Sequence, residues 1–115
     1  MEYMEFKKII EEYMRCADEH QQCTLSGDYK KGNKYADTIL MYNAFFEKEY
    51  EKETTHAIID AIIESNDPGA VMWIAPVCAK LQYRLPEIKE IIIKYSEDKN
   101  LGLSAFGAEM LLKQL

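Results

Sequence analysis

The segment Val71-Met-Trp-Ile-Ala-Pro-Val-Cys-Ala-Lys-Leu81 is apolar almost all the way round. A helix of this composition has no polar face to turn to water, so it must sit at the centre of a fold, covered by other elements. What precedes it specifies a helix. In Asn66-Asp-Pro-Gly69, Asp67 can cap the free backbone N–H groups, and Pro68 fits a first turn where its missing N–H costs nothing. The spacing predicts this helix over about Pro68 to Gln82, with a kink at Pro76, which removes one ladder bond.

The rest of the chain offers only helices to cover it. Phe6, Ile9, Ile10, Tyr13, Ala17 and His20 recur at three- and four-residue steps, the signature of one helical face. That first helix is predicted to run from about Glu2 to Ser26 and to stop at Gly27, with Asp28 capping the next. The second is predicted over about Tyr29 to Lys52, with Tyr35, Ile39, Tyr42, Phe45 and Phe46 as its apolar stripe. Thr54 or Thr55 can cap a third helix to about Ser65, with Ile58, Ala61 and Ile62 inward. Pro86 opens a fifth, carrying Ile88, Ile91, Ile92 and Tyr95. After the break at Asn100-Leu-Gly102, a last helix from about Ser104 carries Phe106, Met110, Leu111 and Leu115. No stretch alternates convincingly enough for a strand. The expected fold is all-α: one domain over residues 1–115, with about six helices stacked as antiparallel hairpins.

Three sequence segments carry a family resemblance: Gly27-Asp-Tyr-Lys-Lys-Gly-Asn-Lys-Tyr35, Asn66-Asp-Pro-Gly-Ala-Val-Met-Trp-Ile-Ala75, and Leu101-Gly-Leu-Ser-Ala-Phe-Gly-Ala-Glu-Met-Leu-Leu112. Together they resemble a small bacterial HEAT-like all-helical family of unknown function. The resemblance implies a right-handed α-α superhelix without catalytic residues. Some similar small helical proteins are encoded beside bacterial toxins and act as immunity proteins. The family's central helix often carries an arginine after its Asn-x-Pro turn; here Ala70-Val71-Met72 stands there instead.

Charge narrows the partners. The net charge is −6, and residues 1–60 carry 13 acids against 8 bases, while residues 61–115 carry 7 against 6. An acidic surface repels phosphate backbones, so direct nucleic-acid binding is not expected, whereas a basic protein is a suitable partner. The bland reading is that acidity only keeps a small protein dissolved. No apolar run approaches the ~20 residues that cross a bilayer, and the charged start, Met1-Glu-Tyr-Met-Glu-Phe-Lys-Lys, lacks the apolar core of a signal peptide. Three cysteines within helical patterns fit buried thiols in a reducing compartment better than a disulfide framework. A cytoplasmic location is expected.

Catalytic parts are sparse. Cys16, His20 and Cys23 share one helical face at steps of four and three, but a structural zinc site needs four ligands, and no second pair supplies the fourth. The same three residues could make a nucleophile and base, yet nothing supplies an orienting partner or an oxyanion pocket. His56 reads as a surface or cap residue. The carboxylate pairs at helical spacing, Asp60 with Glu64 and Glu12 with Glu19, are of a kind most often simply solvated. No metal, cofactor or enzymatic activity is expected.

What remains is a binding surface. The run Glu47-Lys-Glu-Tyr-Glu-Lys-Glu53 concentrates four acids in seven residues, and Tyr50 within it has no claim on a core. Tyr42, Tyr50, Trp73 and Tyr83 could rim a groove beside Asp60 and Glu64, although Trp73 reads first as core. The candidate partner-binding set is Glu49, Tyr50, Glu51, Glu53, Asp60 and Glu64. The expected function is that of an immunity protein, meeting a basic toxin domain, for instance a nuclease, with an acidic helical face. The alternative is a structural or adaptor module, or a homo-oligomer.

Overall fold

The structure, a computed structural model, describes residues 3–115, and every regular element among them is helical. Six α-helices follow one another: α1 (Tyr3–Ser26), α2 (Tyr29–Glu47), α3 (Lys52–Glu64), α4 (Pro68–Leu81), α5 (Leu85–Glu97) and α6 (Leu103–Leu112). A 3₁₀ turn, Lys99–Leu101, precedes α6. No helix among the described residues is long and apolar enough to cross a membrane.

The predicted punctuation is largely where the sequence puts it. Gly27 follows α1 at φ 81°, and Asp28 accepts from the Lys31 N–H at 3.2 Å as the cap of α2. Asp67 accepts from the Gly69 N–H at 3.2 Å ahead of Pro68. Helix α4 runs through Pro76 to Leu81. It buries Ala70, Val71, Ile74, Ala75, Val77 and Cys78, and packs against α1, α2, α3, α5 and α6, as an all-round apolar helix must.

Two boundaries differ. Helix α2 ends at Glu47, five residues short of the sequence expectation, because Glu49 adopts left-handed dihedrals (φ 48°). Helix α3 therefore starts at Lys52, before either threonine, and Glu51 holds the cap position, where its side chain does not cap the helix N–H groups. Thr55 lies buried in the helix instead of capping it. The acidic run is thus a joint between two helices rather than a solvated helix tail.

Helices α1 and α2 form one extensive pair, and α5 and α6 another. Helix α3 packs on α1 and α4 and has little contact with α2, its neighbour in sequence. At the first crossing, a Cβ on Gly32 would stand 3.1 Å from the Cys23 Cβ, so a glycine is what lets α2 approach α1 so closely. The core gathers Tyr13, Ile39, Phe46, Ile58, Ile59, Ile62, Ile74, Ile88 and Ile92. One polar chain crosses it: the Tyr13 hydroxyl donates to Asn43 Oδ1 at 2.8 Å, and Asn43 Nδ2 donates to the Trp73 carbonyl at 3.0 Å. This ties α1, α2 and α4 together at one point.

Candidate functional site

The six sequence candidates fall into different environments. Glu49 and Asp60 belong to one polar network. Glu49 Oε2 lies 2.8 Å from His56 Nε2, and the His56 ring stacks on Tyr83 with centroids 3.9 Å apart. The Tyr83 hydroxyl donates to Asp60 at 2.8 Å, and Arg84 Nη1 donates to the same oxygen at 2.9 Å. Arg84 then grips Glu87 with Nε and Nη2, each at 2.7 Å. The α2–α3 joint, α3, the α4–α5 turn and α5 are linked in sequence by these bonds.

Electrostatics follow the geometry. The bidentate bond to Glu87 comes first in raising the Arg84 pKa, and Arg84 in turn holds the Glu87 carboxyl below its ordinary value. Burial, followed by the bond to Asp60, pushes the Tyr83 phenol up. Backbone strain accumulates here as well: Glu49, Gln82 and Arg84 all have positive φ. Such strain persists only where surrounding contacts over-determine it; at Glu49 and Arg84 these are the contacts of the network, while Gln82 ends α4 with its amide bonded back to the Ala79 carbonyl. The sequence reading missed Arg84 and Glu87, and no periodicity could have marked them, because a tight turn rather than a helical face brings Arg84 to Asp60.

Tyr50, Glu51, Glu53 and Glu64 are exposed. Tyr50 is 71% exposed, and its ring lies 5.9 Å from that of Phe45, which is itself 45% exposed. Phe45 therefore leaves the predicted inward stripe of α2; Phe46 takes the core position alone. Met41, one turn earlier on the same side of α2, is exposed too, so Met41, Phe45 and Tyr50 form one apolar patch. Lys48 Nζ stands 5.9 Å over the Tyr50 ring. Glu64 is at the far end of α3 from Glu53, about 17 Å away at 1.5 Å per residue. It is not part of the Tyr50 neighbourhood.

The aromatic groove proposed around Tyr42, Tyr50, Trp73 and Tyr83 does not assemble. Tyr42 donates to Glu12 at 2.7 Å, Tyr83 serves the Asp60 network, and Trp73 lines a different groove. That groove, about 460 Å³, has α4 as its floor and α1 and α6 as its walls. In it His20 meets Trp73 edge-on, with centroids 5.2 Å apart, while Gln21 Nε2 donates to Ser104 Oγ across it at 3.1 Å.

The Cys16–His20–Cys23 face separates accordingly. Cys16 and Cys23 are buried, as is Cys78, and all three are free thiols. Burial raises the Cys16 pKa and pushes Cys78 up to about 12, so both stay protonated and are poor nucleophiles at neutral pH. Burial lowers the His20 pKa, which keeps its ring neutral. Among the described residues, no group of three His, Cys, Asp or Glu side chains is arranged to hold a metal. No family model, curated protein or solved structure matches the chain.

Proposed function

We propose that this chain is a non-enzymatic binding protein that neutralises a basic protein partner, in the manner of an immunity protein against a bacterial toxin. The observation that carries this reading is the patch Met41–Phe45–Tyr50, exposed beside the acidic joint. Large apolar side chains left in water next to charged ones have the anatomy of a recognition surface: aromatic anchors at the centre and a polar rim. Tyrosine is favoured at such centres because it buries a large area with few rotamers to freeze. Glu51, Glu53 and Asp37 add negative charge that speeds the approach of a cationic partner. Glu49 and Asp60 serve differently: they hold the joint that presents Tyr50. The resemblance to toxin-immunity families supplies the toxin, and a nuclease fits the charge because its cleft is built for phosphate.

The test is capture from the native host with the whole chain as bait, followed by kinetics on the captured partner. Tyr50→Ala with Phe45→Ala should accelerate dissociation by about 30-fold or more, the scale of a central hot spot of 2 kcal/mol or more. Glu51→Gln with Glu53→Gln should slow association and flatten its salt dependence. If neither pair changes binding, this patch is not the interface.

A second reading, self-association, has its own observation. Leu103, Phe106 and Met110 are exposed at three- and four-residue steps on α6. Phe106→Ser would convert a dimer to a monomer in sedimentation if that stripe joins two copies.

A further inference from the structure

We infer that the groove between α1 and α6 is a second, independent binding site, for a small, uncharged, aromatic molecule. Both walls pack on α4 but barely touch each other, so the groove runs between them rather than closing into core. Its volume lies within the ~300–1,000 Å³ of small-molecule sites.

Charge selects the class of ligand. Of this chain, 30% of residues are charged, yet no Asp, Glu, Lys or Arg lines the groove. The one titratable group there is His20, and burial keeps it neutral. An anionic or cationic ligand would lose hydration and find no counter-charge, whereas a neutral ring loses little. The polar groups present, His20, Gln21, Thr24, Asn100 and Ser104, are all uncharged side chains and suffice to orient one hydrogen-bonding substituent. Trp73 and the His20 ring supply the aromatic wall.

A glycine gives an independent reason. Gly107 lies inside α6, where glycine costs about 1 kcal/mol relative to alanine. Close helix packing does not require it, since a Cβ there would meet nothing within 4 Å. What the missing side chain leaves is width in the groove. Nor does turn geometry call for it, in contrast to Gly102, whose φ of 56° and ψ of −122° few other residues adopt.

Trp73 is the chain's single tryptophan, so its fluorescence reads the groove directly. The experiment titrates the full chain at physiological ionic strength with N-phenyl-1-naphthylamine, and separately with its sulfonated analogue 1-anilinonaphthalene-8-sulfonate. The neutral probe should quench Trp73 saturably with one molecule per chain, and the sulfonated one should bind at least about ten-fold more weakly. Gly107→Leu, which improves helix propensity while filling the groove, should weaken the neutral probe by about ten-fold or more. Leu25→Lys changes a rim residue that is 66% exposed, so the fold tolerates it. It should remove the preference against the sulfonated probe. Unsaturable quenching, equal affinity for the two probes, or a Gly107→Leu variant that binds like the parent each overturns the assignment. So does a dimer that Gly107→Leu dissociates, because the groove would then be an interface between copies.

Discussion

Replacing Tyr13 with phenylalanine removes one oxygen atom from the centre of the molecule. Tyr13 is 0% exposed, and its hydroxyl is bonded to Asn43, which is 6% exposed. After the change, Asn43 Oδ1 has lost its donor and stands too deep for water to replace it. An orphaned buried acceptor costs about 1–3 kcal/mol, so Tyr13→Phe should destabilise the fold by about 2 kcal/mol. For a chain of this size that lowers the melting temperature by about 8–10 °C. Asn43→Leu leaves the Tyr13 hydroxyl without its acceptor and the Trp73 carbonyl without its side-chain donor, and should cost about 2–3 kcal/mol. The double variant decides the matter. With both polar groups gone, the orphan penalty disappears, so it should be more stable than the sum of the single changes by at least about 1 kcal/mol. Urea unfolding followed by circular dichroism measures all three. A Tyr13→Phe variant that melts within about 2 °C of the parent, or a strictly additive double variant, refutes the reasoning.

Three further outcomes follow from the same geometry. Arg84→Ala should cost about 1–2 kcal/mol, between the limits for exposed and buried ion pairs, while Arg84→Gly should recover about 1 kcal/mol of that by relieving the left-handed dihedrals; equal stability of the two by urea titration would contradict this. Ile92→Ala, at a fully buried position, should cost about 2–5 kcal/mol and the half-buried Ile91→Ala clearly less, so a reversed order in melting experiments would mean α5 is rotated. Stability should also fall as pH rises above about 10, the unfolded tyrosine value, because burial raises the phenols of Tyr13, Tyr42, Tyr83 and Tyr95 in the folded chain, with Tyr42 pushed up to about 12, first by burial and then by Glu12. These raised values leave the stability intact below pH 10, and Tyr42→Phe should flatten the alkaline slope in pH-resolved melts.

The fold was legible because helical punctuation and apolar spacing are local. Asp28, Asp67 and Gly27 act through backbone groups two or three residues away, and the all-apolar segment of α4 could only be central. Errors arose where a local signal had a tertiary rival. The good helix formers of Glu47–Glu53 suggested a continuous helix, yet the contact between Glu49 and His56 goes with a left-handed turn that ends it. Thr54 and Thr55 looked like caps, but Thr55 has a place in the core and α3 begins a turn earlier.

The candidate sites were less legible for a reason that periodicity cannot overcome. A stripe of apolar residues states that one helical face prefers to leave water; it does not state how wide the neighbouring helix is. Phe45 and Phe46 are identical in sequence terms, one step apart, and only the position of α1 and α4 decides that Phe46 is buried while Phe45 pairs with Tyr50. Phe106 and Met110 carry the same ambiguity at α6: the helix is largely apolar, as α4 is, but no element among the described residues covers its outer side. A short helix with α4's composition but fewer neighbours is therefore half core and half surface. Under the proposed binding role, that apolar surface, like the one on α2, is the part of the molecule that would meet a partner.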